Sequence, residues 1–449
     1  LKIMSNCINL EFNAFENYVS NSNECVRFKL VCSSEDLIDD FENNSSIESN
    51  KNDDESSKKQ MKEKCLIPSF KPEMSYQFFG ENENIFGYKD LIIKVYYSCA
   101  QLNIYLGLNY QHRLNKQQTG GIEPDDVLRT ISNLYETKVC YNLEEFSRNL
   151  SIEKSFIPYG ECLKEFVVEH HKKDSQSVQR SFGIYKADNS VPGFVAYHER
   201  MQTFLLWFIE AVSFIEIDDN RWDFFVIYEK IPDNETNSTL NCQYCFVGYT
   251  TVYRYYAYPQ NIRPRISQFL ILPPFQRLGL GSKLLETVYE NYNQKSVLDI
   301  TVEGPSDEFQ AMRDVVDCKL CMGLSSFCIE NLKSGWSSEM AEEAKLKFKL
   351  NSKQSRRIYE ILKLKITNLH DSEDYLKYRL AIKQRLNAPY VKQINDIEKL
   401  RKRKAISEAN YALLLKTNQI PREYRIKNLN KQYEDIEREY LQIIEKLNK

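Results

Sequence analysis

Residues 266–286 read ISQFLILPPFQRLGLGSKLLE, and this stretch constrains the fold more than any other. An alternating apolar strand, Ile266 to Leu272, runs into Gln276-Arg277-Leu278-Gly279-Leu280-Gly281, and a helical pattern opens at Ser282. Two close glycines between a strand and a helix let the backbone curl, so that several N–H groups point at one spot. The helix start adds its own unpaired N–H groups and the positive end of its dipole. Such a bend is an anion cradle, most often for a pyrophosphate. A lone Gly-x-Gly is more often an ordinary tight turn, but Q-R-x-G-x-G after a strand ending in Pro273-Pro274 is more selective. The spacing lacks the third glycine and distal acid of a dinucleotide fold, and the Gly-Lys-Ser/Thr of a P-loop.

The 449 residues are enough for two or three domains. A formal net charge of −3 gives no global pull toward nucleic acid or membrane. Hydrophobic content of 42% supports a globular core, and 29 Tyr with 24 Phe predict large aromatic faces. No apolar run reaches the roughly 18 residues of a membrane span, and the opening LKIMSNCINLEF does not read as a signal peptide. The 12 cysteines show no disulfide rhythm, which fits a reducing compartment. Two Cys-x-x-Cys pairs, Cys242/Cys245 and Cys318/Cys321, could be a zinc site. The apolar setting of the second pair (VVDCKLCMGL) favours plain buried helix residues, so no metal is expected.

Residues 1–40 form an N-terminal segment, and 41–66 are polar, charged and aromatic-poor, the pattern of a disordered insert. Residues 67–180 mix strand-like runs (SYQFF, DLIIKVYYSC) with helical ones (PDDVLRTISNLY, NLEEFSRNL), an N-terminal α+β domain. Within a core at 181–330, the apolar run His198 to Ile215 predicts a buried helix, and FFVIYEK and CFVGYTTVYRYYAY predict strands. The helix after the glycine motif shares one face among Leu284, Leu285, Val288 and Tyr292. A strand, Val297 to Glu303, follows, and helical patterning resumes from Phe309. Residues 331–449 read as a helical domain, with a short heptad seam from Ile426 to Leu447 that predicts packing on a neighbouring helix. Arg401-Lys402-Arg403-Lys404 reads as a solvated face.

The strand order and the glycine motif resemble the GNAT superfamily of N-acetyltransferases, whose acetyl-CoA signature is this bend. The fold class expected is α+β, with a mixed central sheet flanked by helices. Acetyl transfer to an amine needs a held cofactor, a polarised thioester carbonyl and a base, because a lysine of pKa about 10.4 is nearly all ammonium at neutral pH. Gln276, Arg277, Leu278, Gly279, Leu280, Gly281 and Ser282 meet the first need, and backbone around Phe269, Leu270 and Ile271 the second. On VLDITVE, period two puts Asp299, Thr301 and Glu303 on one face, and Glu303 ends the strand beside Gly304-Pro305-Ser306. Glu303 is therefore a candidate general base, with a surface carboxylate at a turn as the even alternative. Glu210, the lone charge in FLLWFIEAVSFI, is the second candidate; an edge residue whose tip reaches water is the plainer reading. The run Tyr249 to Tyr258 is either a packed strand or an aromatic wall for a lysine stem or peptide backbone.

Together these segments resemble the catalytic subunit of the type B histone acetyltransferase. The likeness runs through YQFFG, FGYK, IYKAD, YHER, QTFLLWFIE, DDNRW, VGYTTVYRYYAYP, RPRISQ, the glycine motif, LLETV, LDITVE and RRIYEIL. It implies acetyl-CoA as cosubstrate and direct attack by lysines of the N-terminal tail of newly made histone four. It implies a WD-repeat histone-binding partner, no direct nucleic-acid contact, and a place in nucleus and cytoplasm. It implies Glu303 as the general base and Glu210 as an assisting carboxylate. Phe269–Ile271, Gln276–Ser282 and Ser306 would be cofactor contacts, and Tyr253, Arg254, Tyr255, Glu81 and Glu83 would meet the histone tail. Relatives usually carry an acid directly after the base, where this chain has Gly304, and Glu81-Asn82-Glu83 lacks an intervening acid. Two alternatives stand beside this reading: Gly304 suggests a catalytically weakened histone-binding or chaperone subunit, and Glu81 and Glu83, which would suit any cation, allow a GNAT enzyme for another amine such as a polyamine.

Overall fold

A computed structural model describes residues 15–38, 67–171, 177–232, 242–418 and 421–448, so the 41–66 insert lies outside the described residues. The chain forms two compact units, Leu1–Tyr255 with Arg265–Val288, and Tyr256–Pro264 with Tyr289–Lys449.

The first unit holds two sheets. The smaller runs in the order β1 (Val26–Val31), β2 (Ile92–Ser98), β3 (Ile104–Asn109), β4 (Val139–Cys140). Helices α1 (Val127–Tyr135) and α2 (Leu143–Asn149) lie where the sequence places them. Asn142 caps α2 by accepting from Glu144 N at 2.9 Å and Glu145 N at 3.2 Å. Leu143 and Phe146 of α2 are buried against Val31, Tyr96 and Tyr105 of this sheet. The larger sheet contains β5 (Glu161–His171), β6 (Ser177–Ala187), β7 (Trp222–Pro232), β8 (Cys242–Ala257) and β9 (Asn261–Ile271), adjacent in that order. β5 through β8 pair antiparallel, as hairpin-linked strands rich in Phe, Tyr and Val do.

Two local expectations fail. SYQFF is no strand but a one-turn helix, Tyr76–Phe79, ended by Gly80 at φ 72°; it delivers Phe78 to stack on Trp207 at 4.0 Å. The run from His198 to Ile215 is not one helix. It forms the end of α3 (Phe194–Gln202) and a single turn α4 (Leu205–Phe208), and then leaves helical geometry at Ile209 (φ −130°, ψ 120°). Unbroken hydrophobicity here reflects burial from all sides. Trp207 Nε1 donates to Tyr135 OH at 2.8 Å, and Tyr97 OH is 2.8 Å from Thr203 Oγ1, so tertiary partners rather than helix periodicity set the path.

α3 also buries His198, packed against Phe224 at 4.6 Å and Tyr249 at 6.0 Å, with no hydrogen-bond partner at either ring nitrogen among the described residues. Burial pushes its pKa down to about 3, so the folded unit holds it neutral. The unfolded chain binds a proton first, near pH 6.5, so stability is full above that pH and falls as pH drops toward 3. Between pH 6.5 and 5 the expected loss is up to about 2 kcal/mol. Denaturant titrations at both pH values should show His198→Leu losing less stability than the parent over that interval; equal losses would refute the assignment.

The second unit is largely helical. β10 is short, Thr301–Val302. Around it the predicted strand Val297 to Glu303 reduces to isolated bridges, Val297 with Ile262 and Ile300 with Leu350. The segment lies against the first residues of β9, which belong to this unit: Leu298 N donates to Ile262 O at 2.9 Å. Helix α5 (Leu280–Asn291) precedes it in the chain, and α6 (Asp307–Cys321), α7 (Ser338–Phe348), α8 (Ser352–Ile366), α9 (Ser372–Lys402), α10 (Glu408–Asn418) and α11 (Arg422–Leu447) follow. Cys318 and Cys321 are buried helix residues of α6. The heptad seam buries Tyr433, Tyr440 and Ile443 of α11, whose helix packs on α8 and α9, while Ile426 stays exposed. Among the described residues no helix is long and apolar enough to cross a membrane, and no cluster of His, Cys, Asp and Glu could hold a metal ion.

Candidate active site

The cradle is built as its local sequence demands. β9 alternates buried Ile266, Gln268 and Leu270 with half-buried Phe269 and Ile271. After Leu272, Pro273–Phe275 make a 3-10 turn, and Gln276 Nε2 reaches back to Ile271 O at 2.9 Å. Arg277 (φ 65°) and Gly279 (φ 77°) take left-handed backbone, and α5 starts at Leu280, two residues before the predicted opening. Gly279 thus makes the bend, while Gly281 sits inside the first helical turn. Lys283 N donates to Gly279 O at 3.2 Å, so the N–H groups of Leu280, Gly281 and Ser282 precede any intrahelical acceptor. Gly279 is exposed, with open space where a Cβ would stand, and Arg277 is exposed beside it. Leu284, Leu285 and Val288 anchor the helix in the core.

The neighbouring strand contributes a residue that sequence reasoning missed. A Cβ on Gly248 would sit 2.2 Å from Leu270 O and 2.9 Å from Ile271 Cα. Only glycine lets β8 approach β9 this closely, and Leu272 N donates to Val247 O at 2.9 Å across the same contact. A lone glycine inside an aromatic strand was the signal. Gly248→Ala must push backbone against backbone, with an expected cost of about 1–3 kcal/mol in denaturant unfolding. An unchanged midpoint would show that the strands yield freely.

Further along β8, Tyr253, Arg254 and Tyr255 emerge from the core. Tyr253 OH donates to Asp219 Oδ2 at 2.8 Å, and its ring lies 4.8 Å from Trp222 and 4.6 Å from Tyr255. Arg221 lies over Tyr253 and Arg265 over Tyr255, at 4.9 and 4.7 Å. The Arg221 guanidinium holds the Asp219 carboxyl well below the usual carboxylate range. Arg254 is not a free cation: it pairs with the buried carboxylate of Asp223 at 3.3 Å and donates to Asn220 O. Tyr249 belongs wholly to the core, whereas Tyr256 and Tyr258 are exposed.

The acidic candidates divide. Glu210 is exposed in the turn after α4, so the idea of a carboxylate desolvated within a helix is corrected; its tip reaches water because the helix has already ended. The segment behind it is nonetheless tied to β9, since Gln268 Nε2 donates to Ser213 O at 3.2 Å. It is tied as well to the YQFF turn: Ala211 N donates to Tyr76 OH at 2.6 Å, and Gln77 Nε2 to Val212 O at 3.3 Å. Glu81 is exposed beyond that turn. Glu83 is used internally, with Oε1 accepting from Ser75 N and Oε2 from Asn23 Nδ2, both at 2.6 Å. It therefore pins its own loop, which a sequence cannot reveal. In the second unit, Glu303 is exposed directly after β10, and Gly304 turns the chain at φ 42°. Asp299 accepts from Arg263 Nε at 2.5 Å. Ser306 caps α6, its hydroxyl accepting from Phe309 N at 3.2 Å.

Comparison with known proteins gives these features a lineage. The family described as "Histone acetyl transferase HAT1 N-terminus" matches residues 18–210, and "Histone acetyltransferase type B catalytic subunit, C-terminal" matches 313–364. The histone acetyltransferase type B catalytic subunit of Homo sapiens is 38% identical over 431 residues, 96% of this chain and 94% of its own. The chain belongs to the type B histone acetyltransferase catalytic-subunit family. The Rattus norvegicus member is 39% identical over the same shares, and the Mycosarcoma maydis member 31% identical over 76% of this chain and 80% of its own. The bend after β9 has the chemistry of an anion site. It offers helix-start N–H groups, an exposed arginine and a glycine whose missing Cβ leaves open room.

Proposed function

We propose that this acetyltransferase moves the acetyl group of acetyl-CoA onto lysines in the N-terminal tail of newly made histone four. The observation that carries the reading is the hydrogen-bonded chain from Gln268 on β9 through Ser213 and Ala211 to Tyr76. It gathers the Glu210 turn and the loop of exposed Glu81 beside the strand that ends in the anion cradle. A basic tail crossing that surface would meet carboxylates, and the exposed ring of Tyr255 suits a lysine stem.

Acetyl-CoA, when bound, supplies a thioester already activated for attack. Gln276–Ser282 would hold its pyrophosphate through helix-start N–H groups, and backbone N–H groups in Phe269–Ile271 would orient the acyl oxygen. Glu303 takes the proton that the lysine ammonium must lose, with Glu210 assisting, and the free amine attacks directly. Gly304 turns the chain at φ 42° and supplies no second acid, so the proton path rests on Glu303 and Glu210 alone. A WD-repeat histone-binding subunit is the partner we assign, and nucleus and cytoplasm the compartments.

The test uses the whole chain. Calorimetry with coenzyme A and acetyl-CoA should show uptake, and radiolabel transfer should favour a histone-four tail peptide over spermidine. No uptake ends the reading. Uptake with preferred acetylation of spermidine redirects it to a polyamine, and tail binding without turnover redirects it to a chaperone subunit.

A further inference from the structure

Three cysteines far apart in sequence meet in the first unit. Cys32 follows the last residue of β1 and Cys99 the last residue of β2, in parallel strands whose register sets Val31 opposite Ser98. Cys99 N donates to Val31 O at 2.9 Å, so the pairing continues to the cysteines. Adjacent strands lie about 4.8 Å apart, within the Cα separation of roughly 4.4–6.8 Å that a disulfide spans. Cys245 enters from β8, whose Phe246 N donates to Cys99 O at 2.7 Å. Gln243 Nε2 closes the group, donating to Cys32 O at 2.9 Å and to Cys99 Sγ at 3.2 Å. Cys99 and Cys245 are fully buried, and Cys32 is the least buried of the three.

We propose that Cys32, Cys99 and Cys245 form a peroxide-oxidisable site in which Cys32 is the entry thiol and one of the buried pair resolves it. The neighbouring Cys245 and Cys99 side chains hold the Cys32 thiol below the usual thiol range, although burial and the carboxylates of Asp36 and Glu229 oppose its ionisation. Burial pushes both partners up. The Cys32 thiolate attacks one oxygen of hydrogen peroxide, the O–O bond breaks, and hydroxide leaves a sulfenic acid on Cys32. The Cys99 or Cys245 sulfur then attacks that sulfur, and the sulfenic oxygen leaves as water. The hydroxide takes the thiol proton, so two thiols and one peroxide yield one disulfide and two waters. The site is independent of the acetyl-transfer reading, because its readout is the thiols themselves.

The experiment treats the reduced full-length chain with stoichiometric hydrogen peroxide, blocks remaining thiols, and maps peptides by non-reducing mass spectrometry. The expected product is a peptide carrying Cys32 joined to one carrying Cys99 or Cys245, two hydrogens lighter than the reduced pair. Cys32 should be consumed about tenfold faster than exposed Cys162, whose thiol burial and Glu165 do not favour as thiolate. Cys32→Ser should abolish the cross-link while Cys162 still oxidises. Cys32 left free while Cys162 is consumed would overturn the proposal. So would Cys32 running on to sulfinic acid with no cross-link.

Discussion

Glu303→Gln is expected to slow acetylation of a histone-four tail peptide by about 10²–10⁴-fold, the usual worth of a positioned general base. The amide keeps the shape of the carboxylate but cannot accept the ammonium proton at neutral pH. Glu303 is exposed at the turn after β10, and the variant should fold and bind acetyl-CoA as the parent does. Initial rates with calorimetric affinity for the cofactor separate the two effects. Glu303→Asp, which retracts the carboxylate by one methylene, should fall between parent and glutamine variant. A near-normal rate in Glu303→Gln would move the base to Glu210. Loss of rate together with loss of cofactor binding would assign Glu303 to holding the donor instead.

The largest stability effect is expected at Glu360 on α8. It is 1% exposed, yet its carboxylate faces two arginines and a phenol. Arg385 Nη2 of α9 donates to Oε2 at 2.9 Å, Arg356 Nε to Oε1 at 3.2 Å, and Tyr440 OH of α11 to Oε2 at 3.0 Å. One side chain thus ties three helices. Glu360→Ala leaves the Arg385 charge without its buried partner and Tyr440 without an acceptor, a loss of about 3–5 kcal/mol. For a unit of this size that lowers the melting midpoint by roughly 10 °C. Glu360→Gln keeps the shape and one acceptor, so it should cost less. Thermal melts of the full chain followed by far-ultraviolet circular dichroism, which the helices dominate, read the difference. A shift below about 1 °C for the alanine variant would show that water replaces the carboxylate, and that the helices are held by apolar contacts such as Ile358 and Ile443 alone.

What could be read from residue order was whatever local chemistry decides. The strand running into Gly279, the helix after it and the buried face of Leu284, Leu285 and Val288 follow from turn chemistry and period alone. So do α1, α2 and the seam of α11. The accumulated motifs also carried the family, which alignment with the human and rat relatives now shows.

What could not be read depended on partners distant in the chain. Hydrophobicity over His198–Ile215 looked helical because burial and helix formation leave the same mark in sequence. The Tyr135 and Tyr76 hydroxyls, from elsewhere in the unit, help set where the helix breaks and leave Glu210 in water. Glu83 looked available, but Ser75 and Asn23 had already claimed both oxygens. Gly248, the Glu360 junction and the Cys32 cluster each join strands or helices that share no local pattern. Period and turn propensity act over a few residues, so the sequence alone determined most of the elements, the bend after β9 and the family. Which polar groups remain free depends on close approaches across many tens of residues, and only the tertiary structure decided that.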